Sequence, residues 1–274
     1  MPFQKHGFLG REAAENALTV RKRYFELFRL VDEVNEYVHK VVAEIKFDPY
    51  DMHQSLIGSL FAKMLHSFQA VIILTQYGLE SDSNIILRAL FDAVFLFGSI
   101  VEDRKFAEKY VEYQTKASQL RKVNAAINNA NDLKFDDEMV KRLTDRKEEL
   151  KNELGIDYGE NRDKEKATLA NMFSSEQLAR KAGLNAMYQS GYRILSDDVH
   201  TSPFSVEAFL NIDENDERIK SIRLGPRYEA INKNCSVAMS IILQALRGVC
   251  NLTGIDNDGE ITTLQKKVAN FSGK

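Results

Sequence analysis

The chain has no tryptophan, two cysteines, four prolines and fourteen glycines in 274 residues. Two cysteines cannot build a disulfide framework; Cys235 and Cys250 sit in an apolar helical stretch and read as reduced core residues of a cytoplasmic protein. So little proline and glycine leaves few chain breaks, which points to long helices. Charge of one sign is also missing. Lys and Arg number 37 against 40 Asp and Glu, which excludes coating nucleic acid through bulk charge but leaves room for a local basic patch. The start, Met1-Pro2-Phe3-Gln4-Lys5-His6-Gly7, lacks the apolar core of a signal peptide. Long apolar runs are few. Phe68 to Leu79 is too short to span a membrane, and Ile85 to Val101, broken by Arg88 and Asp92, also falls short of the usual ~20 residues, so no membrane association is expected.

Sequence signatures of common chemistries are missing too. There is no His-Glu-x-x-His, no paired Cys-x-x-Cys and no repeated Glu-x-x-His, and His53 and His66 fall on different faces of one expected helix. Neither common glycine-rich phosphate loop occurs, nor a Gly-x-Ser-x-Gly elbow. No metal and no cofactor are expected.

What is present is helical periodicity. With 44% hydrophobic residues the chain can build a sizeable core. Leu18, Phe25, Phe28, Val31, Val38, Val42 and Ile45 recur by threes, fours and sevens, predicting one amphipathic helix from Arg11 to Ile45, ended by Phe47-Asp48-Pro49. A second helix runs from about Met52 to Tyr77 and closes at Gly78, and Ser81 or Ser83 caps a third, to about Val101. Lys105 to Ala130 forms a fourth. Asp136 to Lys166 alternates Lys with Glu and Asp, and Val140, Leu143, Leu150 and Leu154 leave a narrow apolar seam: the second arm of a projecting helical hairpin, with Gly155 to Lys166 as a mobile loop. That arm is either a solvated surface helix or a contact for a dimer or partner.

Ser174 or Ser175 caps a short helix that stops at Gly183. The next helix buries Leu184, Tyr188, Tyr192, Leu195 and Val199 and ends at Thr201-Ser202-Pro203. Between Phe204 and Pro226 the period is lost; Ser221 to Leu224 reads as a short extended piece, without a β-sheet. Tyr228 to about Leu252 is the most apolar helix and must be central, and Ile261 to Phe271 docks as a terminal one. The expected fold is all-α: one domain over residues 1–274, a bundle of about seven to nine helices, with a charged helical hairpin and loop projecting over residues 104–170.

Two charge groupings stand out. Arg88 and Asp92 are i, i+4 in the apolar stretch Ile85 to Phe97, and burying them costs several kcal/mol unless they are paired. They either organise the core or line a cleft. Arg193 and His200 lie seven residues apart; at ~100° per residue they return to one helix face, with Ser196 between them and Asp197 one turn after Arg193.

An arginine, six residues and a histidine resemble the signature of the HEPN superfamily of helical proteins, which includes metal-independent ribonucleases. The resemblance implies that His200 moves protons at a ribose 2′-hydroxyl or leaving oxygen, that Arg193 clamps the scissile phosphate, and that two chains share a cleft. Ile194 stands where that family often has Asn, Asp or His, and Asp197 is a substitute on the same face. A broader pattern is similar to an uncharacterised bacterial all-helical family. It comprises the turn Gly78-Leu79-Glu80, the helix Arg88-Ala89-Leu90-Phe91-Asp92 and the helix end Ser196-Asp197-Asp198-Val199-His200, within roughly residues 50 to 250. It implies that Arg88, Asp92, Ser196 and His200 share one site. Two functions follow: a non-catalytic helical module binding a protein partner or ligand at that polar centre, or an endoribonuclease acting on RNA as a homodimer.

Overall fold

A computed structural model describes residues 3–155, 171–199, 203–212 and 218–272 of the chain. The fold is all-α apart from one small ribbon, and it is built around a single long apolar helix near the C-terminal end.

Helices α1 (Arg11–Arg23) and α2 (Phe25–Glu44) replace the single helix expected from Arg11 to Ile45. The chain breaks at Tyr24, with φ −105° and ψ 38°, although the apolar period runs straight through it. The reason lies in the neighbours. The first half packs on α3 (Met52–Tyr77), the second on α9 (Ile231–Thr253) and α10 (Asp258–Ser272), so each half follows its own groove.

The Asp51 carboxylate caps α3 by accepting the N–H groups of His53 and Gln54 at 2.9 and 3.2 Å. Gly78 closes the helix in the left-handed region, φ +78°, where a side chain would also run into Pro226. α4 (Glu80–Ile100) starts directly behind this turn, without a side-chain cap. The expected Ser81 or Ser83 cap is therefore not made. The turn lays the start of α4 against the end of α3, and buried Ser83 hydrogen-bonds Thr75 at 2.7 Å instead.

α5 (Arg104–Asn128) and α6 (Asp137–Leu154) form a hairpin, capped by Asp103 and Asp136. It carries its own small apolar cluster of Leu120, Leu150 and Leu154 with Tyr113, Ala117 and Val123, separate from the main core. Lys116 spans from Glu112 to Glu153, and Arg146 reaches Glu149, Glu153 and Gln119, so ions cross-link the two arms. α7 (Ser175–Lys181) is capped by Ser174. A turn at Asn185–Met187 and a π-helical segment, Tyr188–Tyr192, then lead into α8 (Arg193–Val199).

Between Phe204 and Pro226 a sheet does exist, contrary to the sequence reading. β1 (Leu210–Ile212) and β2 (Ile219–Ile222) pair antiparallel, and strands of three and four residues are too short for alternation to show in the sequence.

α9 is the centre of the molecule, as expected. Cys235, Ala238, Met239, Ile241, Ile242 and Leu246 along it have no exposed surface, and it packs on α2, α3, α4 and α10. Each fully buried Ile, Leu or Met there stabilises the fold by roughly 1.5–3 kcal/mol. Burial pushes the Cys235 thiol up to about 12, so it stays protonated and unreactive. α10 begins at Asp258, three residues ahead of the expected Ile261.

The helices are longer than the apolar runs that mark them. By length and composition alone α3, α4 and α9 are each long and apolar enough to cross a membrane, at 26, 21 and 23 residues, which corrects the length argument made from the two runs. In this fold the three pack on one another.

Two helix caps double as ion pairs and make the bundle acid-sensitive. Asp51 bonds Arg104 at 2.5 Å and Asp103 bonds Lys181 at 2.8 Å; these partners are the main reason both carboxyls titrate below the ordinary range. A carboxyl depressed in the folded state contributes stability above its unfolded value and loses it as pH falls through the folded one. Melting temperatures followed by circular dichroism should drop below about pH 4. Asp51→Asn, which keeps the capping oxygen but not the charge, should flatten part of that drop.

Candidate functional site

Arg88 and Asp92 sit one turn apart on α4, with side-chain exposures of 20% and 38%, and the Arg88 Nη1 donates to Asp92 Oδ2 at 2.7 Å. The π-helical segment faces them. Its last residue, Tyr192, places a hydroxyl that accepts from Arg88 Nη2 at 2.5 Å. One turn further on, Ser196 Oγ accepts from Arg88 Nε at 3.3 Å and donates to the Tyr192 carbonyl at 3.2 Å. From the first turn of α7, Ser175 Oγ takes the Tyr192 hydroxyl proton at 2.9 Å and donates its own to Asp92 Oδ1 at 2.6 Å.

These bonds close a circuit: guanidinium to phenol, phenol to serine hydroxyl, hydroxyl to carboxylate, carboxylate back to guanidinium. Every hydroxyl in it donates once and accepts once, and both carboxylate oxygens are taken. Arg88 also lies over the Tyr192 ring, 4.2 Å from its centroid, and that ring stacks on Tyr188 at 5.1 Å and tilts against Phe95 at 5.7 Å. Burial above all pushes the Tyr192 phenol above its ordinary value; Asp92 adds to the shift, while Ser175 and Arg88 oppose it. Tyr192 is thus a neutral donor at pH 7.

Local backbone makes this approach feasible. A Cβ at Gly191 would stand 2.7 Å from the Phe91 ring, so glycine lets the π segment close on α4. π-helical turns of this kind often occur at functional positions.

The structure brings together Arg88, Asp92 and Ser196, as grouped from the sequence. Arg193 is not among them. Exposed on the outer face, it donates from Nη1 to Gln189 Oε1 at 3.1 Å. The expectation that Ser196 shares the Arg193 face is corrected. Three residues turn a helix by about 300°, while four turn it by about 400°, so Ser196 follows inward-facing Tyr192 more closely than Arg193. His200 and the side chain of Asp197 lie outside the described residues. Sequence reasoning missed Tyr192 and Ser175 as members. In the sequence Tyr192 reads as part of an apolar stripe and Ser175 as a cap; the one signal is that Tyr192 precedes Ser196 by four. Among the described residues no group of three or more His, Cys, Asp and Glu could hold a metal.

A family model matches residues 54–218. The chain belongs to DUF5677, a family of unknown function. The DUF5677 segment contains every residue of the circuit, and it stops before α9. Comparison with curated proteins and with solved structures gives no match. Because α9 supplies the buried centre of the fold, residues 54–218 of this DUF5677 protein expressed alone should fail to give a cooperative thermal transition, whereas the full chain gives one.

A double-mutant cycle tests the circuit. Arg88→Ala should cost about 2 kcal/mol and Tyr192→Phe about 1 kcal/mol in urea unfolding. The double variant should cost measurably less than their sum, because each single change already breaks the same circuit.

Proposed function

We propose that this DUF5677 protein is a non-catalytic helical module that recognises a protein partner. In this reading the Arg88 circuit is a latch that holds α7 and the π segment with α8 against α4. The observation that carries it is the closure of the circuit. A general acid or base needs an atom left over for substrate, and here both Asp92 oxygens and the Tyr192 and Ser175 hydroxyls are answered inside the protein. The charged outer face of α6, from Asp137 to Leu154, supplies the contacts. Its residues Glu138, Arg142, Glu148 and Glu149 are exposed, and an ion pair from Glu153 to Lys116 of α5 stiffens the arm.

A second reading, a metal-independent ribonuclease, draws on Arg193. Its guanidinium is exposed and outside the latch, where a phosphate can reach it, and His200 would be the acid or base.

One experiment separates the two. Purified wild-type protein, Arg88→Ala and His200→Ala are incubated with a labelled single-stranded RNA in chelator, and urea unfolding is measured in parallel. The module reading expects intact RNA throughout and a loss of stability of about 2 kcal/mol in Arg88→Ala alone. Cleavage by the wild type that vanishes in a stably folded His200→Ala protein replaces it with the nuclease.

A further inference from the structure

Two polar ties fix the start of α3, one to α5 and one to the end of α4. Arg104, the first residue of α5, bonds the Asp51 cap at 2.5 Å, and His53 Nε2 bonds the Ile100 carbonyl at 2.7 Å. Next to them lies a groove of about 280 Å³. Met52 and Leu56 line it from α3, and Ala107 and Val111 line it from α5, in each case one turn apart. Met52 is 78% exposed and Val111 36%, so this apolar lining stands open to water.

The polar groups along the groove leave acceptors over. A carbonyl only accepts, so the His53 nitrogen that faces Ile100 carries a proton. In the uncharged ring the other nitrogen, Nδ1, is then an acceptor, and no described residue bonds it. Lys116 holds Glu112 at 2.7 Å, and Asp51 holds Arg104. Glu108 has no hydrogen bond or ion pair to a described residue and meets Arg104 only through space. Lys105 and Lys109, beside it on the helix, do not line the groove. The two cations, Arg104 and Lys116, are set against three carboxylates, Asp51, Glu108 and Glu112, so the groove is left acidic.

Size selects the kind of occupant. Ligand sites run from roughly 300 to 1,000 Å³, so this one is small. Its apolar lining covers one turn of each helix, while a docked helix is read through anchors at i, i+4 and i+7. A partner helix, or a helix from a second copy of this chain, finds too few anchors here. A single ring or a short chain fits. An anion would be repelled by Glu108, and an uncharged body would leave the acidic end unanswered.

We propose that the groove binds a small organic amine. The apolar body lies between Met52, Leu56, Ala107 and Val111, and the ammonium donates to Glu108, with His53 Nδ1 as a second open acceptor. The site shares no residue with the Arg88 latch, so its failure and that of the module reading are independent.

Phenethylamine is the probe; phenethyl alcohol and hydrocinnamate carry the same ring without a charge and with a negative one. In the full chain labelled at its methionine methyls and followed by NMR, the amine should move the Met52 signal to saturation, the alcohol weakly and hydrocinnamate not at all. Glu108→Gln should weaken the amine about tenfold and leave the alcohol unchanged, because a charged acceptor becomes a neutral one. Val111→Trp fills the groove and should abolish the shift. Both side chains are exposed, so neither variant should alter the melting temperature. Absence of a saturable shift with the amine overturns the proposal. So does a shift that survives Val111→Trp, or equal affinity for the amine and hydrocinnamate. Broadening of the Met52 signal with protein concentration, before any amine is added, gives the groove to a second copy and overturns it too.

Discussion

A guanidinium set into an apolar helix must be answered, and the arrangement of three elements follows from how Arg88 is answered. Leu87, Leu90 and Phe91 around it are buried, so the helix cannot roll to put the charge in water without exposing them. One partner comes from its own helix, two from the π segment and α8, and a fourth group, Ser175, ties the carboxylate to α7. Charge-assisted bonds are directional and roughly twice as strong as neutral ones. They fix orientation where apolar packing alone would tolerate sliding.

The rest of the fold is held by a different kind of force. α9 contributes a face that is apolar apart from buried Asn234 and Ser236, and α2, α3, α4 and α10 collect on it by burying area. Directional bonding and area burial divide the work: the bundle is assembled around α9, and the elements that pack less deeply are positioned by Arg88. Small polar links sit at the joints: Ser83 with Thr75 ties α4 to α3 within the bundle, and Ser99, bonded to the carbonyls of Phe95 and Leu178, ties α4 to α7.

Much of this was legible in the residues. The helical spans from Met52 to Val101 and the central helix were marked by periodicity, Gly78 and Gly254 marked two ends, and the i, i+4 spacing of Arg88 and Asp92 announced a pair. Other features left no local trace. Tyr24 breaks a helix whose apolar period never falters, because the break is set by two different neighbours. The ribbon is too short for its alternation to register. Tyr192 is both an apolar ring and a polar hydroxyl, and a reading by hydropathy sees the first. Arg193 and Ser196 share a spacing that looked like a common face, yet a rotation of about 60° is enough to put one in solvent and the other in the circuit.

The π segment bears on how this helix stores its geometry. A π turn amounts to one extra residue in an otherwise α-helical path, so everything downstream is offset by about 100° from where an uninterrupted helix would leave it. The offset acts as a phase setting written at Tyr188–Tyr192 and read out in the following turn. Which side chains of α8 face Arg88 and which face solvent is therefore decided upstream, and loss of a single residue there would exchange them without altering any residue of α8.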